Sequence, residues 1–136
     1  MTQVEQRGCG APQLAAPHIE RAETLLAEIA QLLEALARNG GDARLDLRAL
    51  GLTVEDYAAL RAALGEGAVD AHVTSTESTD VRETRFPGVW WVKHYGDSGA
   101  IEAEFLEICR VPEILASPEE DIARGLAELK ARLAAH

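Results

Sequence analysis

The hydrophobic residues of this chain change their period twice, and that change limits the fold more than any other feature. Ala22, Leu25, Leu26, Ile29, Leu32, Leu33 and Leu36 recur at three- and four-residue spacing, with Glu23, Glu28 and Glu34 between them. That is the pattern of a long amphipathic helix. Further on, Val69, Ala71 and Val73 alternate with Asp70, His72 and Thr74, and a period of two belongs to a strand with one wet face. Past residue 117 the helical period returns in Ile122, Leu126, Leu129 and Leu133. A chain helical at both ends and extended in the middle reads as α+β.

Punctuation places the elements. Pro17 suits a first helical turn, where its missing N–H is not needed, and Asn39-Gly40-Gly41 ends that helix because glycine accepts the left-handed cap. Arg44-Leu45-Asp46-Leu47 alternates as a short strand does. Thr53 with Asp56 three residues later reads as a capping box opening a second helix, with Val54, Tyr57, Leu60 and Leu64 facing inward and Gly65-Glu66-Gly67 breaking it. Strands are expected at 68–74, 81–86, 89–95 and 101–109, with 75–79 as a polar turn, Pro87-Gly88 as an interruption and Gly96-Asp97-Ser98-Gly99 as a hairpin loop. Strands this close in sequence must pair antiparallel. The expected architecture is a four-stranded antiparallel meander, with a fifth short strand near 44–47, packed with about three helices. Ser117-Pro118-Glu119-Glu120 predicts a helix start with serine at the N-cap and proline at the next position, and Ile122, Leu126, Leu129 and Leu133 as the inner stripe of a closing helix.

At 136 residues, 47% of them hydrophobic, the chain has material for one domain and its core. Residues 1–16, with Gly8, Cys9, Gly10 and Pro12 and no periodicity, read as a flexible tail, and 17–136 as the single domain. The net charge of −10 argues against nucleic acid, which requires a basic stripe, and against an anionic membrane surface. No stretch approaches the roughly 18 apolar residues of a membrane span, and the N-terminus lacks the apolar run of a signal peptide. Cys9 and Cys109 form no C-x-x-C pair and no zinc spacing, which suits free thiols in a reducing cytoplasm.

Strand parity supplies the functional clue. Adjacent strand residues point to opposite faces, so Trp90 and Trp91 cannot share one. Ile101, Ala103 and Phe105 likewise oppose Leu106 and Ile108. If the helices lie on one side, the second face exposes an apolar patch of the kind that marks a protein interface; helices on both sides, or a bulge near Phe105-Leu106, would return those residues to a core. The contact surface would centre on Phe86, Trp90, Trp91 and Tyr95, with Arg85, Lys93 and His94 at its rim. One tryptophan would then serve binding and the other folding.

Catalytic signatures are weak. Gly65-x-Gly67 lacks the third glycine of a dinucleotide loop, and no H-E-x-x-H, G-x-S-x-G or P-loop occurs. Glu102, Glu104 and Glu107 read as strand acids in solvent. No cofactor and no reaction are expected. The alternative is a metal or redox carrier in which Cys109 meets His72 and His94 across the sheet.

The run Glu83-Thr84-Arg85-Phe86-Pro87-Gly88-Val89-Trp90-Trp91-Val92-Lys93-His94-Tyr95 resembles the conserved C-terminal region of the HupH/HyaF family of hydrogenase expression proteins. Asp46-Leu47-Arg48-Ala49-Leu50, Leu64-Gly65-Glu66-Gly67 and Ile108-Cys109-Arg110-Val111-Pro112-Glu113 resemble further stretches of that family in the same order. The resemblance, from about residue 17 to the end, implies a chaperone-like accessory protein in the maturation of a nickel–iron uptake hydrogenase. Its partners would be a hydrogenase subunit precursor or other maturation proteins. Longer members of the family carry two related copies of the domain and this chain has room for one. Pairing of the chain with itself through the apolar second face, as a homodimer, would reproduce that arrangement.

Overall fold

The computed structural model describes residues 17–75 and 77–135 of the chain. The tail expected at 1–16 lies outside the described residues. The opening helix, α1 (Pro17–Asn39), is followed by the short strand β1 (Ala43–Asp46), a 3-10 turn (Leu47–Leu50) and α2 (Val54–Leu64). Then come β2 (Asp70–Thr74), β3 (Ser78–Glu83), β4 (Val89–Tyr95) and β5 (Ile101–Ile108), a second 3-10 turn (Glu113–Leu115) and the final helix α3 (Glu119–Ala134).

The strands form one five-stranded sheet in the order β1-β5-β4-β3-β2, and every neighbouring pair is antiparallel. The meander is therefore β2 to β5, and the fifth strand joins it at the β5 edge. β3 begins at Ser78, earlier than the polar character of 75–79 suggests. Pairing explains the extension: Ser78 lies opposite Tyr95 and Thr79 opposite His94, and Thr79 Oγ1 sits 2.9 Å from His94 Nδ1. β3 stops at Glu83 because Thr84 folds into the turn, its hydroxyl donating to the Val89 carbonyl at 2.9 Å.

Both helix-end signals of the first half hold. The Gly40 N–H, at φ +74°, donates to the Leu36 carbonyl at 2.9 Å, which only glycine does without strain. Thr53 Oγ1 accepts from the Asp56 N–H at 3.0 Å, and Asp56 accepts from the Thr53 N–H at 2.9 Å. Val54, expected inside, is exposed. At about 100° per residue it lies roughly 120° around α2 from Leu60, whereas Asp56 lies roughly 40° from it. Asp56 is the buried one, and Arg21 of α1 meets its carboxylate at 3.4 Å.

Helices α1 and α2 lie together on one face of the sheet. Leu25, Ile29 and Leu36 of α1 and Leu60 and Leu64 of α2 close over Val89, Trp91, Leu106 and Ile108. The other face holds a smaller cluster of Val81, Trp90, Val92 and Cys109, with Ala71 and Leu115 packed on it. The sheet is thus apolar on both sides, as the parity of Trp90-Trp91 and Phe105-Leu106 demands. No bulge at Phe105-Leu106 is needed; the register shifts instead between His94 and Tyr95.

The C-terminal helix departs from expectation. Ser117 does not cap it. Pro118, extended at ψ 152°, occupies the cap position without a side-chain bond, and its carbonyl accepts from Ile122 at 3.1 Å. The acids Glu119, Glu120 and Asp121 supply the negative charge that a first turn favours. The stripe of Ile122, Leu126, Leu129 and Leu133 faces solvent, and no residue of α3 is buried. The chain leaves β5 across the second face, where Leu115 is spent on the small cluster. Helix α3 then begins beyond that contact, and among the described residues neither core cluster reaches its stripe.

Candidate binding cleft beside Trp91

Alternation distributes the aromatic and charged residues of β4. Val89, Trp91, Lys93 and Tyr95 project toward the helix side, and Trp90, Val92 and His94 toward the other, because cross-strand partners share a face. Neither indole is free: Trp90 is 5% exposed and Trp91 7%. The Trp90 Nε1–H donates to the Cys109 carbonyl at 3.1 Å, and the Trp91 Nε1–H donates to Glu104 Oε2 at 2.7 Å. A contact surface centred on an exposed tryptophan is therefore not present, and the second face no longer offers the apolar patch that self-pairing of the sheet requires. Of the other residues singled out, Arg85 and Phe86 are exposed in the turn after β3, Phe86 at 41%. Lys93, His94 and Tyr95 are half-buried. His94 lies on the second face with Phe105, ring centroids 5.8 Å apart, and Arg44 stacks over that Phe105 ring at 4.2 Å.

The helices cover only part of their face. α1 and α2 sit over the β5 and β4 side, which leaves the inner surface of β2 and β3 open next to the end of α2. There a cleft of about 250 Å³ runs between the Gly65–Gly67 break and the strands, lined by Arg61, Asp70, Asp80, Arg82, Trp91 and Lys93 among others. The Arg61 guanidinium stands 5.2 Å above the Trp91 ring. Arg82 lies between Asp70 at 3.3 Å and Glu66 at 3.7 Å. Arg85 approaches from the far side of the break, its guanidinium against Gly65. The cleft thus has an aromatic wall, fixed charges of both signs and a frame of paired strands. Its volume is below the roughly 300–1,000 Å³ of ordinary small-molecule pockets, and suits one or two side chains of a peptide.

Asp80 joins two strands at this site. Its carboxylate is 2.5 Å from His72 Nδ1 and accepts from the Tyr95 hydroxyl at 3.0 Å. The His72 hydrogen bond, helped by the Tyr95 hydroxyl, holds the Asp80 carboxyl below the usual carboxylate range against the opposing effect of burial. A carboxylate depressed in the folded state contributes stability that is present above its unfolded pKa, about 4, and lost as the pH falls through the lower folded value. The melting temperature of the wild type is therefore expected to fall from pH 5 toward pH 3 more steeply than that of Asp80→Asn. Parallel acid limbs in thermal melts of the two proteins would remove Asp80 from that role.

The Cys/His₂ cluster does not form. His72 lies opposite Asp80, and His94 lies opposite Thr79. Asp80 and Thr79 are neighbours on one strand, so the two imidazoles project from opposite faces. Cys109 shares the second face with His94, but burial pushes its thiol up to about 11, away from the thiolate that metal binding and redox exchange use. Among the described residues, no group of three or more His, Cys, Asp and Glu side chains is placed to hold a metal ion. Glu104, read as a strand acid in solvent, is buried beneath the helix side and held by Trp91. Arg61, Asp80 and Arg82 were not singled out by motif. Alternation was the signal that placed Asp80 and Arg82 on the Trp91 face, but it needed the register to be read. Among the described residues, no helix is long and apolar enough to cross a membrane.

Comparison with known proteins bears on family and fold. Residues 19–136 match the model of "HupH hydrogenase expression protein, C-terminal conserved region". The chain is 27% identical over 113 residues to the hydrogenase expression/formation protein HoxQ of Azotobacter vinelandii, and 27% identical over 112 residues to the hydrogenase expression/formation protein HupH of Rhodobacter capsulatus. These alignments take in 77% and 82% of this chain, and the chain spans 40% of the length of each relative. Among solved structures, the hydrogenase expression protein HupH from Thiobacillus denitrificans ATCC 25259 superposes with a TM-score of 0.82 at 40% identity, covering 85% of this chain and 97% of that one.

Proposed function

The chain belongs to the HupH hydrogenase expression protein family, in its C-terminal conserved region, and on that footing we propose that it is a non-enzymatic, chaperone-like accessory factor in the maturation of a nickel–iron uptake hydrogenase. It acts in the cytoplasm by binding a hydrogenase subunit precursor. The observation that carries the binding reading is the cleft beside Trp91. It offers an aromatic wall with Arg61, Arg82 and Lys93 on one side of its charge balance and Asp70 and Asp80 on the other. Arg82 is ion-paired with Asp70 and Asp80 is hydrogen-bonded to His72, and none of these groups is arranged as a nucleophile beside its base. Such a site recognises and holds a segment of polypeptide; Arg85 and Phe86 extend it toward solvent.

The test is affinity capture with tagged protein from a hydrogenase-producing host, beside an Arg82→Ala/Lys93→Ala variant whose fold is confirmed by circular dichroism. The wild type is expected to recover an immature hydrogenase subunit, and the variant at least about tenfold less, the loss typical of a binding hot spot. Equal recovery by both would move the site off the cleft. Recovery of no hydrogenase protein by the wild type would overturn the function.

A further inference from the structure

We propose that two copies of this chain pair edge to edge through β2, not face to face, and so join their sheets into one. The sheet has two edges, β1 and β2. At the β1 edge, Arg44 is laid over the Phe105 ring and the strand runs straight into a 3-10 turn. The β2 edge is open. The Glu83 N–H donates to the Val69 carbonyl at 2.9 Å. By the alternation of an antiparallel ladder, Val69, Ala71 and Val73 therefore bond to β3, and Asp70, His72 and Thr74 turn their N–H and C=O groups outward. The side chains of these three residues are exposed as well. Neither proline, lysine nor a register shift guards the strand.

The occupant follows from the register. On the helix side, cross-strand partners form two rows along which charge alternates. One row runs Glu104, Lys93, Asp80, His72, and the other Trp91, Arg82, Asp70. An added antiparallel strand that continues both rows sets an acid opposite His72 and a base opposite Asp70, with an apolar residue between them on the Ala71 side. Read from its own N-terminus, that strand is acid, apolar, base, which is the order of Asp70-Ala71-His72 itself. The strand that fits β2 is therefore a second β2. Ala71 sits at the two-fold axis, Asp70 of each copy lies opposite the partner's His72, and Val69 lies opposite the partner's Val73. Each Asp70 and the His72 facing it exchange both backbone hydrogen bonds. The imidazole, which already has Asp80 2.5 Å from Nδ1, then stands between two carboxylates and donates to both when it carries its second proton. Sliding the partner by two residues breaks the rows, setting His72 against the partner's His72 in one direction and Asp70 against the partner's Asp70 in the other. The edge is thus self-complementary in one register, the condition for a symmetric dimer. Facing residues share a side of the sheet, so both clefts open on the same side, with the partner's His72 beside Asp70 at the rim of each.

A seam one strand long falls well short of the roughly 20–30 residues a side of a standard interface, so the pair is weak. The test is sedimentation equilibrium of the full chain from about 10 µM to 1 mM, at about pH 6, below the ordinary imidazole value. The wild type is expected to pass from monomer to dimer. Asp70→Lys and His72→Glu, with folds confirmed by circular dichroism, each face a like charge across the seam and should self-associate at least about tenfold less. An equal mixture of the two should recover a dimer of one copy of each, because the two introduced charges then oppose and the second pair is native. In a Cys9→Ser background, Ala71→Cys should cross-link to itself under mild oxidation, since the Cα atoms at that position of the seam lie about 4.5 Å apart, within disulfide reach. Val73→Cys, whose two copies would lie about 13 Å apart along the strands, should not. A wild type that stays monomeric, charge variants that dimerise as it does, a mixture that does not pair, or an Ala71→Cys that cross-links no faster than Val73→Cys would overturn the proposal. A monomeric wild type whose capture of a hydrogenase subunit is lost on Asp70→Lys would overturn it too and give the edge to that subunit.

Discussion

Replacing either Trp90 or Trp91 with alanine is expected to destabilise the domain by about 3–5 kcal/mol, and by similar amounts for the two. Each ring is the largest member of a core on its own side of the sheet. Trp90 packs with Val81, Val92 and Cys109, and Trp91 packs among Leu60, Leu64 and Leu106. A small domain has about 5–15 kcal/mol in total, so urea unfolding followed at 222 nm should show a large drop in midpoint for both. Phenylalanine separates packing from hydrogen bonding. Trp91→Phe leaves the buried carboxylate of Glu104 without its indole donor, an added cost of about 1–3 kcal/mol. Trp90→Phe deprives only the Cys109 carbonyl, and should cost less. A Trp90→Ala loss under about 1 kcal/mol, far below the core value, would mean that the second cluster is not a core and that this ring is available to a partner.

That expectation replaces the division of labour that alternation alone suggests, in which one tryptophan folds the domain and the other binds. Alternation shows that the two rings lie on opposite faces, and they do. It does not show what covers each face. Leu115, brought over the second face by the segment after β5, joins the cluster around Trp90. Only tertiary structure reveals that contact. The same limit explains α3. The period of Ile122, Leu126, Leu129 and Leu133 was legible and so was the helix, but a period identifies an apolar side and not its partner, and here these side chains stay exposed.

Local chemistry was legible wherever it closes within a few residues. The Thr53/Asp56 capping box, the Gly40 cap, the hairpin after Tyr95 and the antiparallel meander are all of this kind. The cleft was not. Arg61 comes from α2, Asp80 and Arg82 from β3, and Lys93 from β4. With Asp70 from β2, no spacing along the chain announces a site assembled from four elements. The residues that most resemble the family lie around its wall at Trp91 and at the Gly65–Gly67 break, so the sequence pointed to the neighbourhood and the register supplied the occupants.

Gly67→Ala should be the most damaging added methyl among the described glycines, costing about 3 kcal/mol, at the upper end for overpacking, and lowering the melting temperature by about 10 °C. A Cβ there would lie 2.3 Å from the Thr84 carbonyl oxygen and 2.9 Å from Glu83 Oε1. The Glu83 side chain can swing away; the Thr84 backbone cannot. Thr84 is tied to Val89 through its N–H at 3.0 Å, the next N–H, of Arg85, is tied to the Leu64 carbonyl at 2.9 Å, and Gly67 itself donates to Glu83 at 2.8 Å. Relief therefore requires the end of α2 to separate from β3, which opens the cleft. Gly51→Ala is the control. Gly51 lies at the other end of α2, just before it, at φ +65°, but nothing lies within 4 Å of its added methyl, so only the left-handed backbone opposes it, at about 1–2 kcal/mol. Below the melting temperature, Gly67→Ala should weaken capture of the subunit while Gly51→Ala leaves it intact. A Gly67→Ala protein that melts no lower than Gly51→Ala would show that α2 and β3 are not closed on each other as tightly as the Thr84 contact requires, and the cleft would lose the rigidity on which its binding role depends.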